Sequence, residues 1–214
     1  NINEIASIIG KDKRIGHEFL NAGPGYGGSC FPKDIQALIN TAKAKNCTLN
    51  IIQATEQVNQ FQKELAIKKL QTLFPEGLKN KKIALLGLSF KPNTDDIREA
   101  PSLTLIQSCL TQGATLSVFD PQAMPNTKKV FPQLTYCQNA YETANQADAL
   151  IIITEWNTFK ELNLPKLKTL MSQPNFFDLR NLYKKSTLIE LGFNYFSIGQ
   201  GDGVELGSDL GLVN

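Results

Sequence analysis

The strongest constraint on the fold of this chain is a change of sequence pattern near residue 80. From residue 82 onward, short apolar runs alternate with stretches of helical spacing, such as residues 102–110. The runs that we interpret as strands cover residues 83–87, 115–119, 149–154, 176–178 and 195–198. Short apolar strands separated by helices are typical of a parallel sheet covered by helices on both faces. We therefore predict a Rossmann-like, doubly wound α/β domain over residues 80–214.

Residues 1–79 have a helical pattern and form the other predicted region. Four isoleucines within residues 2–9 predict a short amphipathic helix, which Asn1 and Glu4 are spaced to cap. A longer helix is predicted from apolar residues at helical spacing: Val58, Phe61, Leu65, Leu70, Leu73 and Phe74. That stripe either belongs to the core or faces a second subunit. Residues 75–77 end the helix, and residues 79–82 form a polar linker.

Composition and charge exclude several classes of function. The 214 residues have a formal net charge of +2, which gives no support to nucleic-acid binding. No apolar run has the length needed to cross a membrane. The four cysteines lack the spacing of a zinc or redox site, and the single histidine, His17, is expected on a surface helix, so we predict no metal. Unpaired cysteines suit a reducing cytoplasm, which is the predicted location.

One glycine-rich segment, residues 25–34, carries the clearest chemical pattern in the chain. Its glycines let a ligand approach the backbone, and Pro32 predicts that a helix begins close by. Cys30 thus precedes a helix N-terminus with Lys33 nearby, and both features favour the thiolate. Asp34 lies within about one helical turn, close enough to act as a base through a water. The residues alone leave two interpretations open: an activated nucleophile, or a small buried residue in a turn.

The carboxyl ends of the strands are where sheets of this kind bind ligands. The residues that follow the predicted strands are Phe90, Lys91, Asp120, Glu155, Trp156 and Arg180. The turn after the first strand has one glycine, Gly87, where a dinucleotide fold needs three, so we predict no NAD pyrophosphate site in that turn. Lys91 and Phe90 instead suit a nucleotide diphosphate, with a solvated loop lysine as the alternative for Lys91.

Arg98 lies in an acidic segment that precedes a predicted helix. Three acids, Asp95, Asp96 and Glu99, surround it in the sequence. Arg98 is therefore either paired structurally with one of them or able to reach a phosphate from just before the helix start.

Four segments resemble the UDP-glucose 6-dehydrogenases, within the wider nucleotide-sugar dehydrogenase family. They are residues 14–34, 90–102, 154–156 and 180–183. The resemblance extends over essentially the whole chain, in order and at suitable spacing. Leu179 departs from the pattern, because relatives usually have glycine before the arginine that corresponds to Arg180.

The resemblance implies a particular domain organisation. Members of the family have an N-terminal NAD-binding Rossmann domain, a central helical region that dimerises, and a C-terminal domain that binds the UDP-sugar. This chain resembles the second and third parts, with residues 1–79 as the central region and 80–214 as the UDP-sugar domain. We expect the NAD-binding domain and the family's catalytic lysine and asparagine upstream of residue 1. The resemblance also implies a homodimer, weakened if the upstream central helix is missing.

The resemblance also implies roles for individual residues in a two-step, NAD-dependent oxidation of the sugar C6 alcohol to an acid. Cys30 would be the nucleophile that forms a thiohemiacetal and then a thioester, and Asp34 would orient or activate the hydrolytic water. The implied substrate-binding residues are Arg14, acting in the neighbouring subunit's site, Phe19, packed beside the pocket, Tyr26, Gly27, Phe90, Lys91 and Arg180. Lys33 and Arg98 would contact the NAD.

Two alternatives to UDP-glucose oxidation stay open. In the first, the substrate is another nucleotide sugar, GDP-mannose or a UDP-N-acetylhexosamine, because sister enzymes share the architecture. In the second, the chain is a nucleotide-sugar binding module without catalysis. We expect the chain alone to be inactive, since hydride transfer needs the domain that holds the nicotinamide.

Overall fold

The computed structural model describes residues 1–201, and its first part is helical. Helix α1 covers Ile2–Ile9, α2 covers Phe31–Ala44 and α3 covers Asn50–Leu73. The Asn1 side chain caps α1 by accepting a hydrogen bond from the backbone N–H of Asn3, as the sequence predicts. His17 is exposed but lies in a turn between α1 and α2, so the expected surface helix at that position is wrong. Helix α1 ends before this turn at Gly10, whose backbone N–H donates a hydrogen bond to the Ala6 carbonyl.

The second part contains one parallel sheet of six strands within the described residues. The strands are β1 Lys82–Leu86, β2 Thr115–Phe119, β3 Thr135–Tyr136, β4 Ala149–Ile152, β5 Asn175–Asp178 and β6 Asn194–Ser197. Their spatial order is β3-β2-β1-β4-β5-β6, and every pair is parallel. This is the doubly wound order, in which the strand sequence reverses between β1 and β4. The predicted fold class is confirmed.

Five further helices connect the strands and cover both faces of the sheet. They are α4 Pro101–Thr111, α5 Met124–Val130, α6 Ala140–Ala144, α7 Leu164–Leu170 and α8 Lys185–Glu190, with a 3₁₀ turn at Asn157–Phe159. Alternate residues of β1 enter opposite cores, because successive side chains of a strand point to opposite faces. Ile83 and Leu85 belong to one core, while Ala84 and Leu86 belong to the other.

Helix α3 connects the helical part to the sheet. Its C-terminal half buries Leu65, Ala66 and Leu70 in the same core as Ile83 and Leu85 of β1. Each fully buried leucine contributes about 1.5–3 kcal/mol of hydrophobic stabilisation, so this contact is substantial. The division of the chain at residue 79 remains a prediction, and its second part reaches residues 202–214, which lie outside the described residues.

Residues 1–201 contain neither a membrane-spanning helix nor a metal-binding cluster of side chains. No helix there is long and apolar enough to cross a membrane. No group of three or more histidine, cysteine or acidic side chains is arranged there to hold a metal ion.

Candidate functional site

The glycine-rich loop lies between α3 and the segment that precedes α4. The backbone N–H of Tyr26 donates to Asn59 Oδ1 at 2.8 Å, and Asn59 Nδ2 donates back to the Tyr26 carbonyl at 3.3 Å. On the other side, the backbone N–H of Gly28 donates to the Arg98 carbonyl at 2.8 Å. The loop is therefore held by both parts of the chain.

The glycines of this loop are required by close contacts within the protein itself. A Cβ at Gly27 would lie 2.4 Å from the Glu99 carbonyl oxygen, and one at Gly28 would lie 2.9 Å from the Phe90 ring. Gly28 also has a φ of 91°, which favours glycine. The space that we assigned to an approaching ligand is thus filled at these two positions by Glu99 and Phe90.

Cys30 lies at the position that begins α2. Cys30 is exposed, so the interpretation as a small buried residue in a turn is wrong. Pro32 is in the first turn of α2, as predicted, and the backbone N–H of Asp34 donates to the Cys30 carbonyl at 2.8 Å. Asp34 Oδ1 is 3.4 Å from Lys33 Nζ on the solvent-exposed face. Cys30 is therefore an exposed thiol at a helix N-terminus, and the Lys33–Asp34 ion pair lies in the first turn of the same helix.

A cleft of about 810 Å³ opens at the carboxyl edge of the sheet, and we call it the sheet-edge cleft. Six of the seven predicted substrate-binding residues line it: Phe19, Tyr26, Gly27, Phe90, Lys91 and Arg180. Asn21, Asn93 and Glu155 also line this cleft. Residues from the glycine-rich loop and from three strand ends are therefore brought to one surface, as expected for a doubly wound sheet.

Arg180 is the most buried cation of the sheet-edge cleft, with its side chain 14% exposed. Its Nε donates to the Ile153 carbonyl at 2.8 Å and lies 3.0 Å from Glu155 Oε2. Burial lowers the pKa of Arg180, and the neighbouring Glu155 carboxylate opposes that shift. The guanidinium is thus fixed through Nε, which leaves its terminal N–H groups as the donors for a ligand.

Aromatic side chains form other walls of the sheet-edge cleft. Lys91 is exposed, with Nζ 5.4 Å from the centre of the Phe90 ring. Tyr26 packs edge-on against Phe31 at 4.5 Å, and burial together with Glu56 raises the pKa of its hydroxyl. Phe19 is 99% exposed at a φ of 63°, so our expectation that it packs beside the pocket is wrong: it lines the cleft without being covered.

A second cavity, of about 680 Å³, lies on the other side of the glycine-rich loop, and we call it the α2–α3 cavity. Both predicted cofactor-binding residues, Lys33 and Arg98, line it. Arg98 is also paired with Asp96, with Nη2 2.7 Å from Oδ2, and this pairing lowers the pKa of the Asp96 carboxyl. The structural pairing considered for Arg98 is therefore present, and Arg98 still lines the cavity.

Arg14 lines neither the sheet-edge cleft nor the α2–α3 cavity. Its side chain is 88% exposed and pairs with Asp12, with Nη2 2.6 Å from Oδ2. This pairing raises the pKa of Arg14 and lowers that of Asp12.

Two residues of α3 that the sequence analysis missed support the loop between the cavities. Lys63 is 4% exposed, with Nζ 3.2 Å from Glu99 Oε2, and Asn59 holds Tyr26 as described above. Asn59 and Lys63 are four residues apart, so they share one helix face. The sequence gives no local signal that distinguishes them, because polar residues four positions apart recur along α3.

The fold and the site define a class: α/β proteins whose doubly wound sheet offers a cationic, aromatic-lined ligand cleft at the carboxyl ends of its strands. Comparison with known families agrees. The central domain of the UDP-glucose/GDP-mannose dehydrogenase family matches residues 1–61, and the UDP binding domain of that family matches residues 84–185. The chain belongs to the UDP-glucose/GDP-mannose dehydrogenase family.

Individual relatives support the same assignment. The chain is 44% identical over 202 residues to a UDP-glucose 6-dehydrogenase of Rhizobium meliloti, an alignment that covers 94% of this chain and 46% of the relative. It is 40% identical to a UDP-glucose 6-dehydrogenase of Pseudomonas aeruginosa, covering 93% of this chain and 45% of the relative. The chain thus spans about half the length of these curated relatives.

Solved structures show the same fold. A UDP-glucose dehydrogenase from the archaeon Pyrobaculum islandicum superposes with a TM-score of 0.77 at 32% identity, over 86% of this chain and 41% of that one. A GDP-mannose dehydrogenase from Pseudomonas aeruginosa superposes with a TM-score of 0.68 at 22% identity, over 91% of this chain and 45% of that one.

Proposed function

We propose that this chain provides the nucleophile and the nucleotide-sugar site of an NAD-dependent UDP-glucose 6-dehydrogenase, which oxidises UDP-glucose to UDP-glucuronate in two steps. The observation that carries the proposal is the position of Cys30. It is an exposed thiol at the start of α2, on a loop whose Gly27 lines the sheet-edge cleft and whose Ser29 lines the α2–α3 cavity.

The sheet-edge cleft suits a sugar nucleotide in shape and charge. Lys91 and Arg180 supply cations for the diphosphate or the sugar end, since charge-assisted hydrogen bonds to phosphate are strong. Phe90 and Tyr26 supply flat apolar surfaces, and Gly27 lines the cleft three residues before Cys30 on the same loop. Phe19 would be covered only when a ligand occupies the cleft, because it is now almost fully exposed.

The proposed chemistry of Cys30 holds the intermediate between two oxidations. The first oxidation removes a hydride and a proton from the C6 alcohol and leaves an aldehyde. The Cys30 thiolate then adds to the aldehyde carbon, and the oxygen takes a proton to give a thiohemiacetal. The second oxidation removes the C6 hydride and the hydroxyl proton, which leaves a thioester. Water then cleaves the C–S bond and gives the carboxylic acid and the free Cys30 thiol.

Asp34 is the proposed base for the hydrolytic step. Its carboxylate lies in the first turn of α2, on the helix that Cys30 begins, and it is exposed to water. From there it can accept a proton from the water that attacks the thioester. Its partner Lys33 is free to turn toward other anions, because an exposed ion pair of this kind is weak.

The α2–α3 cavity fits part of an NAD molecule. Lys33 and Arg98 bring two cations to it, and a dinucleotide pyrophosphate is recognised by such cations. Bound NAD supplies the acceptor for the hydride in each oxidation. We propose that these residues hold one end of the cofactor, and that an NAD-binding domain such as the resemblance implies holds the rest.

A homodimer belongs to the same proposal. The predicted apolar stripe of α3 divides in two, since Leu65 and Leu70 are buried in the core whereas Val58 is 58% exposed. Ile51, the second residue of α3 and outside the predicted stripe, is 82% exposed. An exposed apolar face of this kind is typical of an interface. Arg14 is exposed and lines neither the sheet-edge cleft nor the α2–α3 cavity, and we propose that it reaches the neighbouring subunit's site.

Calorimetric titration of the chain with UDP-glucose, GDP-mannose and UDP-N-acetylglucosamine tests the substrate. We expect UDP-glucose to bind with the highest affinity, and no NADH to form when NAD is added to this chain alone. A preference for another nucleotide sugar would reassign the substrate. NADH production by the chain alone would contradict the proposed need for a separate NAD-binding domain.

A further inference from the structure

Asp120 is a fully buried carboxylate that follows β2, and its two oxygens accept hydrogen bonds from three different loops. Oδ2 accepts from the backbone N–H groups of Leu88 and Ser89, at 2.7 and 3.2 Å, and from the Trp156 indole Nε1 at 3.0 Å. Oδ1 accepts from the backbone N–H groups of Gln122 and Ala123, at 2.8 and 2.7 Å. The Ser89 hydroxyl also donates to Oδ2, at 3.3 Å.

These donors belong to the loops that leave three adjacent strands, β2, β1 and β4. The sheet order places β1 between the other two, and the strand sequence reverses between β1 and β4. Asp120 therefore lies where the ligand crevice of a doubly wound sheet forms. Since Asp120 is 0% exposed, it cannot itself contact a ligand in the cleft.

The residues that Asp120 holds are direct neighbours of residues that line the sheet-edge cleft. Ser89 precedes Phe90 and Lys91, and Trp156 follows Glu155. The loop after β1 is tied to the loop after β4 a second time, because the Thr154 hydroxyl donates to the Ser89 carbonyl at 2.7 Å.

We infer that Asp120 is a positioning residue for the nucleotide-sugar site: it fixes the loops after β1 and β4 so that Phe90, Lys91 and Glu155 face the cleft together. The identity of the ligand in this inference rests on the proposed function. A carboxylate suits the task because it accepts several N–H donors at once, and a buried donor left without an acceptor costs free energy.

The chain offers a control carboxylate at the opposite end of β1, the strand whose following loop Asp120 holds. Asp148 Oδ2 accepts a hydrogen bond from the backbone N–H of Lys82, the first residue of β1, at 2.8 Å. Asp120→Asn and Asp148→Asn both weaken a carboxylate contact to β1 or its loop. Asp148→Asn affects the amino edge of the sheet, whereas Asp120→Asn affects the carboxyl edge, where the cleft lies.

The first measurement is calorimetric binding of UDP-glucose to the wild-type chain and to both variants, each verified by circular dichroism. We expect Asp120→Asn to weaken binding by about tenfold or more, equivalent to about 1.4 kcal/mol. Asp148→Asn should bind within about twofold of wild type, even if it unfolds at lower urea. Unchanged binding in Asp120→Asn, or equal losses in both variants, would overturn the inference.

The second measurement needs no ligand, so it separates this inference from the proposed function. Amide hydrogen exchange of a peptide that covers residues 88–91 should accelerate in Asp120→Asn and stay at the wild-type rate in Asp148→Asn. If Asp120→Asn does not fold, Trp156→Phe removes one donor and keeps an aromatic ring. It should accelerate exchange in the same peptide to a smaller extent, and unchanged exchange there would contradict the positioning role.

Discussion

Cys30 occupies the N-cap position of α2 without using its side chain to cap the helix. Serine, threonine, asparagine and aspartate are preferred at this position, and their side-chain oxygen stabilises a helix by about 0.5–2 kcal/mol relative to alanine. The Cys30 sulfur instead lies 3.6 Å from the Ser29 hydroxyl and is exposed. Stability therefore does not explain a cysteine here, whereas the proposed role as a nucleophile at the positive end of a helix dipole does.

Cys30→Ser separates these two roles at the residue scale. Serine is a better cap, so we expect the free energy of unfolding to stay the same or to rise by about 1 kcal/mol. Turnover in the complete enzyme should fall by several powers of ten, because the oxygen nucleophile forms a more slowly hydrolysed ester. Intact mass spectrometry should detect the sugar-nucleotide adduct on the introduced hydroxyl. Near-normal kcat in a well-folded variant would contradict the covalent role.

Among the elements, helix α3 connects two parts of the molecule, because its two halves pack against different partners. The C-terminal half buries Leu65 and Leu70 in the core of the sheet. The N-terminal half presents Asn59, which pairs with both backbone polar groups of Tyr26 in the glycine-rich loop. The loop that carries Cys30 is thus anchored to a helix that is itself anchored to the sheet.

Asn59→Ala should release the glycine-rich loop. The backbone N–H of Tyr26 would lose its acceptor, and we expect a loss of about 1–3 kcal/mol in the free energy of unfolding. The rate at which iodoacetamide alkylates Cys30 should change as well, because the loop no longer fixes the thiol. Gln57→Ala, an exposed site on the same helix, is the control and should leave both quantities unchanged. An unaltered alkylation rate in Asn59→Ala would contradict the anchoring role of Asn59.

The elements differ in how far the sequence predicts them. Strand β2 appears at its predicted bounds, Thr115–Phe119, because five residues suffice to show an apolar pattern. Strand β3 was missed, since its two residues carry no detectable period. Asn59 and Lys63 were missed because their partners, Tyr26 and Glu99, are 33 and 36 residues away, and local patterns do not report such pairings. Phe90, Lys91 and Arg180 were predicted from their positions after strands, whereas Phe19, Tyr26 and Gly27 came from motif resemblance, and only the fold brings the six together.

At the scale of the whole molecule, the proposed dimer predicts complementation between subunits. An Arg14→Ala subunit and a Cys30→Ala subunit should each be inactive as homodimers of the complete enzyme. In a hybrid dimer, one of the two sites would combine an intact Cys30 with an intact Arg14 from the neighbour. An equal mixture should therefore recover about one quarter of the wild-type activity after subunit exchange. Hybrids that stay inactive, although both subunits fold and dimerise, would show that Arg14 does not act across the interface.

The stability of the whole fold should decrease at alkaline pH. Burial raises the pKa of the Cys109 thiol from 9.0 to about 12 and that of the Tyr183 hydroxyl from 10.0 to about 12. The unfolded chain therefore loses these protons at lower pH than the folded chain does. The free energy of unfolding should fall by about 1.4 kcal/mol per pH unit for each such group, from about pH 9 for Cys109 up to about pH 12.

Cys109→Ala measures the thiol's share of this effect. Urea unfolding between about pH 9 and pH 10 should show a smaller loss of stability in Cys109→Ala than in wild type, by about 1 kcal/mol over that pH unit. The absolute stability of the variant also changes, but the slope with pH is the quantity of interest. Cys47→Ala, which removes an exposed thiol, should keep the wild-type slope. Identical slopes in all three proteins would rule out a contribution from buried Cys109.

The contact between Trp156 and Asp120 has an optical consequence. The chain has a single tryptophan, and that residue is 6% exposed, one position away from Glu155 in the sheet-edge cleft. Its emission therefore comes from one known place, and no label or background-removing substitution is needed to interpret it. Events at the carboxyl edge of the sheet can be followed by intrinsic fluorescence, on the timescale of a stopped-flow experiment, in the unmodified protein.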